Sequence, residues 1–280
     1  MNFLRLDEII LRALEEDIGH SDITTSNLIP SDQMSKARFY AKADGIVAGI
    51  NVSKAVFEFI DHEIEFEILI EDGQPISEGD TIATVKGKTA TLLTGERTAL
   101  NFLQRLSGIA TKTKQMTELI KYNKAEIVDT RKTTPGLRVL EKYAVSVGGA
   151  RNHRFGLYDG VMIKDNHIKA VGSIQKAVTL VRNKIPHTIN IEIEVETLEQ
   201  LQEALESKAE IIMLDNMSVD EMKKAVEITD GQAILEASGG INEDTLPDIA
   251  KTGVDYISVG ALTHSAISLD ISFDLLEIDI

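Results

Sequence analysis

The chain has 280 residues, 43% of them hydrophobic and 26% charged, so it can bury a full-sized core and has the composition of an ordinary globular protein. The absence of cysteine excludes disulfides, thiolate metal sites and a thiol nucleophile. A formal net charge of −16 speaks against nucleic acid as a partner, and no apolar run approaches the roughly 18 residues that span a bilayer; the expectation is a protein of the cytoplasm.

The opening stretch mixes acids and bases and lacks the apolar run of a signal peptide. Leu6, Ile9, Ile10, Ala13 and Leu14 recur at helical spacing, which predicts an amphipathic helix over 5–17. A strand is expected over 36–47, ended by Asp44-Gly45, then a helix over 52–60 and an alternating strand over 63–70. Asp72-Gly73 and Glu78-Gly79-Asp80 mark turns before a short strand at 81–85. These elements compose a small α+β domain. A long helix then begins near Ala90, carrying Leu92, Leu93, Leu100, Leu103 and Leu106.

From Ile127 the rhythm changes to short apolar runs at 127–129, 161–163, 189–195, 211–214, 233–236 and 256–259, with helical patterns at 198–207 and 219–228. Repeated strand–helix units predict a parallel sheet, and their number favours a closed or nearly closed barrel over an open sheet. No GxGxxG follows any of these strands, which weakens a dinucleotide-binding reading.

The strand exits carry Asp129-Thr-Arg131-Lys132, Lys164-Asp165-Asn166-His167, Glu192/Glu194/Glu196, Asp215-Asn216, Glu236 before Ser238-Gly239-Gly240, and Gly260. In strand–helix barrels such exits converge on one face, where active sites form. Two kinds of group meet there. The stretch from Asp129 to His167 holds seven Lys/Arg against four acids, a cationic island suited to a small anionic ligand, because arginine forks match carboxylates and phosphates in bidentate geometry. A structural alternative, Arg131 and Arg154 paired with Asp129 and Asp165, stays open. Glu194 and Asp215 offer the hard oxygens that suit Mg²⁺ shared with a phosphate; Glu192, Glu194 and Glu196 would share one face of their strand, and an exposed acidic edge is the alternative. Glycines at 239, 240 and 260 allow backbone amides to approach an anion, although ordinary turns use them too. His20, His62 and His187 sit in loop contexts, and His167 is as readily a hydrogen-bonded residue as a catalytic one; His153 is set apart by its place between Asn152 and Arg154.

The runs Gly95-Glu-Arg97-Thr-Ala-Leu-Asn-Phe, Leu106-Ser-Gly-Ile-Ala-Thr, Asp129-Thr-Arg-Lys-Thr-Thr-Pro-Gly-Leu-Arg138, Asn152-His-Arg154, Ile163-Lys-Asp-Asn-His167, Met213-Leu-Asp-Asn216, Ser238-Gly-Gly-Ile241 and Gly260-Ala-Leu-Thr-His-Ser265 resemble the carboxylating nicotinate-nucleotide pyrophosphorylase, or quinolinate phosphoribosyltransferase, family. The resemblance spans nearly the whole chain. It implies an α/β sandwich domain, residues 1–107 joined by 266–280, and an incomplete, TIM-like α/β barrel, residues 108–265. It also implies a homodimer in which one subunit's N-terminal domain covers its partner's barrel mouth. By this resemblance quinolinate meets Arg97 from the partner together with Arg131, His153, Arg154 and Lys164. Lys132, Glu194 and Asp215 meet phosphoribosyl pyrophosphate, the two carboxylates through Mg²⁺ and partly through water, while Ser238, Gly239, Gly240, Gly260 and His264 form phosphate loops. Lys132, Lys164, Glu194 and Asp215 are the expected catalytic set. Gly148-Gly149-Ala150 and Ser21 depart from the family pattern, touching loop geometry but no charged position. Rival readings are a relative acting on another ligand, a sensor of phosphorylated metabolites, and a Schiff-base aldolase using Lys164.

Overall fold

The computed structural model describes residues 5–279, with side chains through 276. In chain order the first elements are α1 (Leu6–Ile18), α2 (Ile23–Leu28), β1 (Met34–Ala41), β2 (Gly45–Ile46), α3 (Ile50–Ile60), β3 (Glu65–Ile68), β4 (Pro75–Ile76), β5 (Thr81–Lys88) and the long α4 (Thr89–Leu119). Then come β6 (Glu126–Val128), α5 (Arg138–Val147), β7 (Val161–Ile163), α6 (Asp165–Val171), α7 (Ile174–Arg182), β8 (Ile191–Val195), α8 (Leu198–Glu206) and β9 (Ile211–Asp215). The chain closes with α9 (Val219–Thr229), β10 (Ile234–Ser238), α10 (Leu246–Ala250), β11 (Tyr256–Ser258), α11 (Ala261–His264) and β12 (Ile271–Asp279).

Two compact units are present: the described residues of 1–114, 134–149 and 266–280, and residues 115–133 with 150–265. These boundaries differ from the expected ones in two places. The division falls after Lys114, inside α4, and 134–149 belong with the first unit. The second difference has a visible cause, because α5 is bonded there: Tyr143 donates to Asp72 at 2.6 Å and Arg105 meets buried Glu141 at 2.8 Å.

The first unit carries an antiparallel sheet of order β12-β1-β5-β3 and a small β2-β4 pair. Along β1, Ser35, Ala37, Phe39 and Ala41 are buried in strict alternation, the period-two pattern of a sheet with one face on the core. The rings of Phe39, Phe57, Phe66 and Phe273 cluster on it, Phe39 and Phe273 edge to face at 4.9 Å. Phe273 thereby fastens the C-terminal strand, and its truncation to Ala should cost about 3–5 kcal/mol. The single strand expected over 36–47 is broken between β1 and β2, where Asp44 turns away to accept the Glu78 N–H at 3.0 Å.

The second unit is built on a parallel sheet of order β6-β11-β10-β9-β8-β7. Among the described residues no ladder joins β7 back to β6; the free edge of β6 carries only a one-residue bridge, Val128 to Arg151. This is an α/β barrel with part of its ring missing. Strand β8 shows how sequence sets inside from outside: Ile191, Ile193 and Val195 alternate with Glu192 and Glu194, and the strand is largely buried on both faces, as a helix-covered parallel strand must be. Helices are started by side chains that cap open amides. Ser218 and Glu221 form a reciprocal capping box on α9, and Thr197 and Ser173 cap α8 and α7.

Candidate active site

At the C-terminal ends of the barrel strands lies a cavity of about 570 Å³ lined by Thr130, Arg131, Lys132, His153, Arg154, Met162, Lys164, Glu194, Met213, Asp215, Asn216, Glu236, Ser258 and the 238–240 loop. The exits of strands widely separated in sequence converge there.

The cationic wall holds Arg131, Lys132, Arg154 and Lys164. Arg154 is held by its own loop, Nη1 donating to the Gly160 carbonyl at 2.9 Å. Burial and the charge of Arg131 both work against its guanidinium, lowering its pKa, while Glu192 and Asp159 support it. Two arginines close enough to repel are poised to share an anion. Asp165 pairs instead with Lys169 at 2.7 Å, outside this group.

Opposite stand Glu194 and Asp215 on the neighbouring strands β8 and β9. Lys164 Nζ reaches Glu194 Oε2 at 2.6 Å. Asp215 accepts from Asn216 Nδ2 at 2.8 Å, and its pKa is raised by burial and then by Glu194. Two carboxylates on adjacent strand ends beside an open cavity, the charge of Glu194 adding to the cost of ionising Asp215, fit a hard divalent cation, whose charge would relieve the repulsion. Glu196 lies past the strand and is exposed, its N–H donating to Gln200 Oε1 at 2.7 Å, so Glu192 and Glu194 alone follow the barrel wall.

The glycines are needed where they stand. Gly239 has φ +99° and sits so close to Asn216 that a Cβ would fall 2.2 Å from its Oδ1; Gly240 has φ +61°. A Cβ on Gly260 would lie 3.0 Å from Lys132 Cδ and 3.2 Å from His264 Nε2. That glycine therefore lets two basic side chains draw together. Thr263 Oγ1 holds the Lys132 carbonyl at 2.8 Å.

His153 sits deeper. Its Nε2 is 3.1 Å from Glu192 Oε2 and 3.6 Å from Glu236 Oε2, and these three groups are the cluster with metal-like spacing among the described residues. Glu236, expected at a strand exit, is the middle residue of β10 and 4% exposed. Asp129, just past β6 and fully buried, takes the His153 N–H at 2.8 Å and Asn152 Nδ2 at 2.7 Å. His167 is a helix-start group, Nδ1 accepting the Lys164 N–H at 2.9 Å, and His20, His62 and His187 lie exposed in turns.

Every expected residue of the second unit except Gly260 and His264 lines the cavity, and Gly260 adjoins both Lys132 and His264. Arg97 belongs to the first unit, on α4, with its side chain 58% exposed and 3.9 Å from Glu96. Unforeseen was Glu141, fully buried, which accepts from Arg105, Thr134 Oγ1 (2.8 Å) and Thr134 N (3.0 Å). Nothing in its helical context marks a buried acid except the basic Arg105 elsewhere in the chain.

This barrel, with its basic and acidic walls, has a family: the chain belongs to the quinolinate phosphoribosyl transferases, whose N-terminal domain model matches residues 22–107 and whose C-terminal domain model matches 109–274. A probable carboxylating nicotinate-nucleotide pyrophosphorylase of Bacillus subtilis (strain 168) is 47% identical over 275 residues, 98% of this chain and 95% of that protein. A mitochondrial, decarboxylating quinolinate phosphoribosyltransferase 2 of Nicotiana glauca is 43% identical over 291 residues, 96% of this chain and 82% of that one. The solved structure of NadC from Streptococcus pyogenes superposes with a TM-score of 0.94 at 41% identity, covering 99% of each chain. No described helix is long and apolar enough to cross a membrane.

Proposed function

We propose that this chain transfers the phosphoribosyl group of phosphoribosyl pyrophosphate to quinolinate with loss of CO₂, yielding nicotinate mononucleotide and pyrophosphate in de novo NAD synthesis. The observation that carries this reading is the meeting of Arg131, Lys132, Arg154 and Lys164 with Glu194 and Asp215 around one cavity. A dianionic acid and a metal-held polyphosphate each need one of these sets, and a transferase joining them needs both.

In this mechanism Arg131, Arg154 and Lys164 neutralise the two carboxylates and aim the ring nitrogen at the ribose. Arg97 completes that set from the partner of a homodimer. The nitrogen displaces pyrophosphate, so the N–C bond forms as the C–O bond breaks, and no side-chain nucleophile is required. Lys132, with the 238–240 loop, Gly260 and His264, holds phosphate oxygens. Glu194 and Asp215 would hold Mg²⁺, which when bound would supply positive charge to the departing pyrophosphate. The alkylated ring is an electron sink: the carboxylate next to the ring nitrogen leaves as CO₂, its bonding pair stays on the ring carbon, and that ring carbon takes a proton. We place the enzyme in the cytoplasm. The Schiff-base alternative is disfavoured because the Lys164 ammonium is engaged by Glu194.

The test is incubation of the purified protein with quinolinate, phosphoribosyl pyrophosphate and Mg²⁺. Nicotinate mononucleotide, pyrophosphate and CO₂ should form, with no turnover when nicotinate replaces quinolinate. Use of nicotinate alone would reassign the substrate.

A further inference from the structure

Beneath the cation cluster, the ring of His153 is spoken for on both sides. Its Nδ1 lies 2.7 Å from the Arg154 backbone N–H, which can only donate. Nδ1 therefore carries no proton, and the neutral ring's proton is on Nε2. That nitrogen faces both oxygens of Glu192, at 3.1 and 3.3 Å, and Glu236 Oε2 at 3.6 Å. The residue's own N–H goes to buried Asp129. In this arrangement the ring has no donor left to offer outward.

A second cavity, of about 410 Å³, lies at the N-terminal ends of the strands, where Val161, Ile211 and Tyr256 begin them, and it shares His153, Arg154 and Glu236 with the mouth cavity. These three residues thus border open space on two sides. Hydrogen bonds must hold what packing does not. Moreover Glu236 Oε1 is buried with no hydrogen-bond partner among the described residues, an arrangement an apolar side chain would avoid.

We infer that Glu192 and Glu236 are positioning residues: through the His153 ring they fix the backbone of Arg154, and His153 serves as a strut between them rather than as a donor to the substrate. This rests on the quinolinate reading for its kinetic consequence, though not for the ring's tautomer. The dicarboxylate is then left to Arg131, Arg154 and Lys164, with Arg97 from the partner.

Protein labelled with ¹⁵N-histidine reports the tautomer, His153 being the signal missing from His153→Gln. The expected result is an Nε2–H ring with bare Nδ1, both without ligand and saturated with quinolinate. A doubly protonated ring, a proton on Nδ1, or a bare Nε2 such as a bound metal would leave overturns the inference, whatever reaction the protein proves to catalyse. Steady-state kinetics adds a second arm. Glu192→Leu and Glu236→Leu should raise the quinolinate KM by about 10- to 100-fold with the phosphoribosyl pyrophosphate KM within about twofold, and the Gln variants, which keep an acceptor oxygen, should restore most of the loss. Equal shifts in both KM values overturn the positioning role. If the Leu variants do not fold, the Gln variants decide: a quinolinate KM within about threefold of the parent supports the role and a larger rise overturns it. Absence of turnover in the parent protein would refute the proposed reaction and leave the tautomer arm standing.

Discussion

Lys164 and Glu194, 30 residues apart in the chain, bring Nζ and Oε2 within 2.6 Å where β7 and β8 leave the barrel. The lysine side chain is 45% exposed, so the pair contributes little to stability, at most about 1 kcal/mol. In the proposed reaction its value is in holding a cation and an anion in one place, each for a different substrate.

Lys164→Met should therefore separate activity from folding. Quinolinate turnover is expected to fall by about 10³-fold, with the melting temperature within about 3 °C of the parent. Steady-state assays and a thermal melt check both halves; retained turnover would remove Lys164 from the reaction.

Asp215 gives the opposite signature. Burial and Glu194 raise its pKa, so the ionised side chain destabilises the fold at neutral pH, and that penalty is relieved as pH falls through the raised value. Asp215→Asn should abolish activity and melt slightly above the parent. Mg²⁺ at tenfold its dissociation constant should stabilise the parent by about 1.4 kcal/mol and leave the variant unmoved, as calorimetry in both proteins would show.

Glu236 predicts a pH dependence of stability. Burial, and next the charge of Glu192, push its pKa from 4.5 up to about 7. Across that window the folded protein holds a proton that the unfolded chain has released, so this group's contribution declines as pH rises from about 4.5 to 7. Glu236→Gln removes the decline. Urea unfolding should find the variant more stable than the parent by on the order of 2 kcal/mol at pH 8, and closer to it at pH 5.

The exposed Arg97 of the first unit yields a test of the shared site. Arg97→Ala and Lys164→Met subunits, each inactive alone, should regain up to about a quarter of the parent activity when unfolded and refolded together, because one of the two sites in a mixed dimer keeps both side chains. Verified mixed dimers without activity would refute the contribution across the interface.

The barrel and most of its mouth were legible because parallel strands buried on both faces end abruptly in polar residues. Lys164, Glu194 and Asp215 sit at such ends, and all three reach the cavity. Glu236 shows the limit. After Ile234-Leu235 a glutamate looks like an exit, yet the strand continues to Ser238, and a carboxylate on the inner face of a barrel is indistinguishable by pattern from one at its rim. Glu141 and Lys142, fully buried within α5, defeat the reading for a related reason: hydrophobic periodicity does not mark charges whose partners come from elsewhere in the chain. The tautomer of His153 depends on a contact with the next residue's amide, which composition and spacing do not encode. The short α2 and α6 carry too few turns for a period to register, and β12 is paired with a strand some 230 residues earlier.

The gap in the ring between β6 and β7 has a consequence for how such an enzyme can change. Asn152, His153 and Arg154 do not sit on a strand; they occupy an irregular stretch tethered by Asp129 and a single bridge at Arg151. Residues on a ladder are constrained by two neighbouring chains at once, whereas this stretch answers mainly to a few carboxylates. Selectivity for one acid over another could be rewritten there by local substitution, with the remaining five strand-to-strand seams left as a fixed chassis.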